Sequence, residues 1–263
     1  MPALAPRGRP LSHLLIPQDP DRLLAVVSTF FFAALVKGAT GLGFSTICLP
    51  FLVTAIGLRE TLPLLIVPSL SSNLMVMVEA GHFFSTLGRF WPLFASALPG
   101  IAVGLALLAW VDPRLAAAVL GIVLIAYCLF ALARPEMRLP ARLERPLGPP
   151  VGIVTGVING LTGAQVMPVL PYLLVLRLGP GQFVQAINCW GTLSSLVMAV
   201  GLSKLGFMTW ETFLVSAAGL VPVYVGVKLG IRVRRWFSPD GFRRAVLVLL
   251  IFMGVSLVGR YFL

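Results

Sequence analysis

Stretches of about twenty apolar residues follow one another along this chain, and that repetition constrains the fold more than any other feature. A helix needs about 20 apolar residues to cross the hydrocarbon core of a bilayer. Eight regions of that kind can be marked out, approximately 23–57, 61–80, 90–111, 114–133, 149–178, 182–202, 210–231 and 242–262. Of the 263 residues 58% are hydrophobic and only 11% charged, where a soluble domain carries about a quarter. No sphere of 28.2 kDa could hide so much apolar surface. A water-soluble fold is excluded, and the chain reads as an all-α polytopic membrane protein.

The formal charge of +11 would suggest a nucleic-acid partner in a soluble chain. Here the basic residues sit mostly between apolar runs, so they read as topological anchors and no nucleic acid is expected. Cys48, Cys128 and Cys189 lie inside apolar stretches without paired spacing or nearby histidines, as packing residues do. No metal, cofactor or catalytic residue is predicted. Residues 1–22 form a polar tail without a signal peptide's apolar stretch and cleavage site. The sizeable polar gap at 134–148, RPEMRLPARLERPLG, reads as a linker between membrane halves 23–133 and 149–263.

Regions 23–57 and 149–178 are too long for single spans, and helix breakers interrupt both. The first contains KGATGLGF at 37–44 and then Pro50; the second contains NGLTG at 159–163 and then Pro168 and Pro171. A backbone group freed in lipid must be satisfied by protein or by water in a cavity, so broken or re-entrant helices here imply a polar site. The breaks are also related by position. Sliding the chain by 122 residues superposes Gly38, Thr40 and Gly41 on Gly160, Thr162 and Gly163, and Ser72 on Ser194, within nine identities over positions 38 to 78. Gap-free agreement of glycines and hydroxyls reads as an internal duplication.

Lysines and arginines test how the halves are oriented. If both broken regions cross the membrane, the alternating sides carry ten and nine cations, which is no bias. If each is a hairpin turning back at its glycines, Arg89, Arg134, Arg138, Arg142, Arg145, Arg177, Lys228, Arg232, Arg234, Arg235, Arg243 and Arg244 share a side, and twelve face seven. The hairpin arrangement is preferred; it inverts one half relative to the other and puts the termini outside.

A half-helix beginning inside the bilayer presents unpaired N–H groups and the positive end of its dipole, which suits a compact oxyanion. Lys37 adjoins the first break, while Thr40, Ser45, Asn159, Thr162 and Gln165 supply hydroxyls and amides; Gly38, Gly41, Gly43, Gly160 and Gly163 leave the backbone approachable. Each has a plainer role open to it. The glycines serve close helix packing, Lys37 snorkels to the interface, and the hydroxyls bond back to helix carbonyls. Asn73 and Asn188, with Ser72 and Ser194, are either interhelical hydrogen-bond groups or an outer layer around the ligand. Glu79 and His82 read as interfacial groups rather than a proton-coupling pair. Trp91, Trp110, Trp190, Trp210 and Trp236 mostly flank the apolar runs, as an interfacial belt does.

KGATGLGFSTICLPFL in the first half, GVINGLTGAQVMPVLPYLL in the second, and a serine-rich segment followed by PGIAVG or VPVYVG together resemble the TauE/SafE family of sulfite and organosulfonate exporters over about residues 23–262. The resemblance implies a multi-pass transporter of the bacterial cytoplasmic (inner) membrane that moves small sulfur-containing anions outward. By motif position it carries the anion site to Lys37, Gly38, Thr40, Gly41 and Gly43, and to Asn159, Gly160, Thr162, Gly163 and Gln165. Gln165 stands where the first half has Gly43, so the site is asymmetric.

Two alternatives remain open at this level: a transporter of another small anion, such as a carboxylate, and a non-transporting membrane scaffold. An intramembrane hydrolase would need a nucleophile–base pair or a metal motif, and the chain's two histidines, His13 and His82, form none. Partners are a small anion and the bilayer; oligomeric state cannot be read.

Overall fold

The structure, a computed structural model, describes residues 20–40, 43–133, 137–233 and 239–262. Among them every regular element is helical: α1 (Pro20–Thr40), α2 (Phe44–Ile56), α3 (Leu58–Ala80), α4 (Phe83–Trp110), α5 (Pro113–Ala133), α6 (Ala141–Thr162), α7 (Val169–Val175), α8 (Pro180–Lys204), α9 (Trp210–Ala218), α10 (Leu220–Val233) and α11 (Pro239–Phe262). Six stretches are long and apolar enough to cross a membrane, namely α3 up to Val78, α4, α5, α8, α9 with α10 as one stretch, and α11 from Arg244. The chain is an all-helical polytopic membrane protein. The two long regions resolve into α1 with α2 and α6 with α7.

Local sequence places most boundaries. Pro113 and Pro180 open α5 and α8, where a missing N–H is harmless and the ring presets φ. Gly81 and Gly163 close α3 and α6 in the left-handed conformation, at φ 72° and 78°, which glycine adopts without steric cost. One boundary departs from expectation. α6 begins at Ala141, inside the segment read as linker, and runs through Pro146, Pro149 and Pro150. Tertiary contacts hold its first turns: Arg89 at the start of α4 forks onto Glu144, with Nη2 2.9 Å from Oε2, and the Tyr172 hydroxyl donates to the Glu144 carbonyl at 2.7 Å.

Close helix contacts reveal chain directions. On α6, Gly156 and Gly160 lie against the Ala97 and Ile101 carbonyls of α4, while Gly100 and Gly104 face back onto Gly156 and Gly160. Residue numbers rise together, so α4 and α6 run parallel. The same holds for α1 and α10, where Gly226 meets Phe31 and Ala34 and Gly38 meets Gly230. By contrast α3 and α8 run antiparallel, with His82 against Gly181 and Asn73 against Gly191, and so do α5 and α11, with Gly121 against Gly254. Small residues let backbones approach closely where lipid offers no hydrophobic drive to associate.

The second broken region folds back on itself. Leu139, just before α6, donates its N–H to the Val175 carbonyl at the end of α7 at 3.1 Å, so both ends of α6–α7 lie at one end of the bundle. That end also holds the starts of α4 and α8. The other end holds the starts of α3 and α5 and the close of α4, α8 and α11: Arg59 reaches the Leu108 and Val111 carbonyls, and Arg260 reaches the Thr54 carbonyl. Described cations Arg89, Arg138, Arg142, Arg145, Arg177, Lys228 and Arg232 belong to the first end, and Arg59, Arg114, Lys204 and Arg260 to the second.

Candidate anion site

Ser45 at the start of α2, Ser69 on α3, Asn159 and Gly163 at the end of α6, Gln165 in the second break and Ser195 on α8 surround a small interior cavity, completed by Leu62, Leu65, Ile66 and Met198. About 20 Å³ is open inside it, room for a single water-sized group. The two breaks therefore meet at one polar spot within the bundle. Ser45 and Ser69 share a hydrogen bond between hydroxyls, and Ser69 in turn takes the Ser72 hydroxyl on its carbonyl at 3.0 Å.

Asn159 carries the most informative geometry. It is fully buried, and Ser194 donates its hydroxyl to Oδ1 at 2.8 Å. That bond fixes the amide plane, yet Nδ2 finds no partner among the described residues. A buried donor left unpaired costs about 1–3 kcal/mol, so the site is built for an acceptor it does not itself contain. Gln165 is anchored through its backbone carbonyl, which accepts the Trp190 indole N–H at 2.8 Å, and its Nε2 lies 3.5 Å from Ser195 Oγ. Trp190, 1% exposed, is thus an interior residue; Trp91, Trp110 and Trp210 stand well exposed, as a belt requires, and Trp236 lies outside the described residues.

The breaks present helix ends of opposite sign. α2 starts at Phe44 with Gly43 as a cap that offers no side-chain bond, so its first-turn N–H groups point their positive end past Ser45. α6 ends at Thr162, and the Gly163 N–H closes onto the Asn159 carbonyl at 2.7 Å. Of the two helices that follow the breaks, α2 reaches the cavity through Ser45, whereas α7 does not begin until Val169 and contributes no lining residue.

The predicted residues separate accordingly. Ser45, Asn159, Gly163 and Gln165 line the cavity, and Ser194 supports Asn159. Gly38 and Gly160 lie instead against neighbouring backbones, where any Cβ would collide with the Val227 or Ile101 carbonyl. Thr162 bonds back to the Ile158 carbonyl at 2.7 Å and receives the Ala164 N–H at 3.2 Å, the helix-terminal role of a hydroxyl. Lys37 sits partly buried in the last turn of α1 and is not a lining residue. Asn188 bonds its own helix at the Val184 carbonyl, whereas Asn73 presses its amide onto Gly191. Gly41 lies outside the described residues, and of Thr40 only its place at the end of α1 is described.

Two lining residues escaped the sequence reading. Ser69 and Ser195 have no identity partner at the 122-residue offset, where Gly191 and Asn73 stand. Helical spacing could have found Ser69, three residues before Ser72 on the same face. Among the described residues no group of three histidine, cysteine or acidic side chains could hold a metal ion.

Neither the curated proteins nor the solved structures give a match to this chain. A family model does: the one described as sulfite exporter TauE/SafE matches residues 26–257. That span takes in both breaks and every residue around the cavity, and on it the chain belongs to the TauE/SafE family of sulfite exporters.

Proposed function

We propose that this chain exports a small sulfur oxyanion, sulfite foremost, across the bacterial cytoplasmic membrane by way of the cavity between its two breaks. The single observation that carries the reading is the fully buried Asn159 Nδ2, which has no partner among the described residues and stands beside the hydroxyls of Ser45, Ser69 and Ser195 and the amide of Gln165. Backbone N–H groups at the start of α2 add a partial positive charge. Donors without acidic residues among the cavity's lining suit an oxyanion. At about 20 Å³ the cavity is smaller than a four-atom ion, so loading requires α2 and α3 to part. The two-half duplication at a 122-residue offset supplies the rocking elements such a cycle uses. The cation-rich end faces the cytoplasm by the positive-inside rule, which puts Glu144 and Arg89 inside.

Flux is the test. Purified protein in liposomes passes sulfite, and sulfite raises the melting temperature of the detergent-solubilised chain more than acetate or sulfate at equal concentration. No sulfite flux and no stabilisation overturns the proposal in favour of a scaffold. Flux with acetate but not sulfite retains the site and changes the cargo.

A further inference from the structure

Four buried polar side-chain atoms lack a partner among the described residues: Gln185 Oε1, Thr192 Oγ1, Asn159 Nδ2 and Arg59 Nε. Such atoms are rare, because each forfeits the hydration it had in water, and each calls for an absent water or ion. Their placement is ordered. Gln185 and Thr192 lie on α8 towards the cation-rich end, Asn159 lies at the cavity, and Arg59 lies at the opposite end on α3.

We infer that the solute crosses along the interface between α3 and α8, with Gln185 near the cytoplasmic mouth and Arg59 as the anion-selecting cation of the outer one. The inference rests on the transport reading above. Gln185, Asn188, Thr192 and Ser195 follow one another at intervals of three, four and three, which is one face of a helix. Across from it Gly191 gives the Asn73 amide room to approach α8, since any Cβ there would collide with it. Ten residues separate Gln185 from Ser195 on α8, and ten separate Ser69 from Arg59 on α3, about 15 Å each at helical rise. Joined at the cavity that Ser69 and Ser195 both line, the two legs span about 30 Å, the thickness of the hydrocarbon core.

The legs differ in character. The inner one is polar and short of partners, hence hydrated. The outer one is closed by Leu62, Ile66 and Met198, beyond which Arg59 donates through Nη2 to the Leu108 and Val111 carbonyls at 3.0 and 3.1 Å and holds its guanidinium 5.6 Å from the Phe207 ring centroid. No carboxylate pairs with Arg59 among the described residues. Its charge is balanced only by the carbonyl end of α4 and a ring face, so an anion arriving from the cavity competes on favourable terms for those N–H groups.

Thiol labelling decides it. Gln185→Cys and Thr192→Cys, in membrane vesicles of known sidedness, react with a charged membrane-impermeant thiol reagent at least tenfold faster from the cytoplasmic side than Leu98→Cys and Ile153→Cys, exposed residues of α4 and α6. The wild-type chain, whose three cysteines are buried, gives the background. If a variant fails to insert, Asn188→Cys on the same face replaces it. Labelling no faster than at 98 and 153 overturns the path. For the outer mouth, Arg59→Gln lowers sulfite flux at least tenfold with unchanged sulfite stabilisation, and Arg59→Lys restores most of it. Unchanged flux in Arg59→Gln, or a fall in stability that lysine does not rescue, overturns the cation's role and leaves it a helix cap. Fast labelling without sulfite flux sinks the transport reading alone; sulfite flux without labelling sinks this path alone.

Discussion

The two breaks begin from related sequence and end in different surroundings. Asn159 and Lys37 occupy corresponding places, 122 residues apart and each just before a glycine. Asn159 is wholly buried and lines the cavity, whereas Lys37 is partly buried and does not. Their glycines show how the difference arises. Gly160 faces Gly104 on α4; the same offset would set Gly38 against Gly226 on α10, yet Gly38 meets Gly230 and Gly226 meets Ala34. α1 thus sits one turn, about 5.4 Å, further along its parallel partner than α6 does along its own. A shared motif sets which residues stand beside a break, and the packing of the helices sets which of them lines the cavity.

This comparison can be broken at several points. The largest effect is expected at the packing glycines. Gly160→Leu drives a side chain into the Ile101 carbonyl and Gly104, a backbone collision costing about 3 kcal/mol or more, and size-exclusion chromatography shows loss of the monodisperse species. A monodisperse Gly160→Leu that binds sulfite normally would mean the parallel contact is dispensable. Next comes the site itself. Asn159→Leu removes the unpaired donor to a charged ligand, worth about 1.5–3 kcal/mol, or roughly 10- to 100-fold in sulfite affinity, while Lys37→Met changes it less than about threefold. Titration by thermal shift checks both, and the reverse ranking would restore the lysine to the site.

Smaller effects sharpen the contrast. Gly163 holds φ at 78° with Leu62 crowding its open side, whereas Gly43 has an ordinary φ of −59°, and a Cβ there would stand 3.2 Å from the Thr46 hydroxyl. Gly163→Ala costs about 1–2 kcal/mol in the left-handed conformation and lowers the melting temperature by a few degrees; Gly43→Ala leaves it almost unchanged. The smallest shift belongs to the tie between α4 and α6. Glu144→Gln loses an ion pair whose arginine side chain is 40% exposed, worth at most about 1 kcal/mol. A double-mutant cycle with Arg89→Gln measures the coupling.

Much of the molecule can be read before any contact is known. The apolar runs from 61 to 133 and from 182 to 262 correspond to α3, α4, α5, α8, α9 with α10, and α11, because a bilayer demands both length and hydrophobicity and composition records both. The interruptions within regions 23–57 and 149–178 are marked in the sequence by glycine and proline, whose backbone limits act locally. The start of α6 was not legible: its Arg- and Pro-rich turns look like linker, and only Arg89 and Tyr172 from distant segments make them helix. Ser69 and Ser195 were missed for a related reason, since a serine in an apolar helix reads the same whether it bonds its own backbone or faces a cavity.

By itself the amino-acid sequence determined that this chain lives in a membrane and that two of its apolar regions are interrupted. Each follows from chemistry that a residue carries within itself or shares with near neighbours. Only the tertiary structure decided that α6 and α7 double back together, that Gly38 and Gly160 join helices, and that Asn159 lines the cavity while Lys37 does not. Those outcomes depend on how far one helix slides along another, and backbone packing between residues more than fifty positions apart sets that distance.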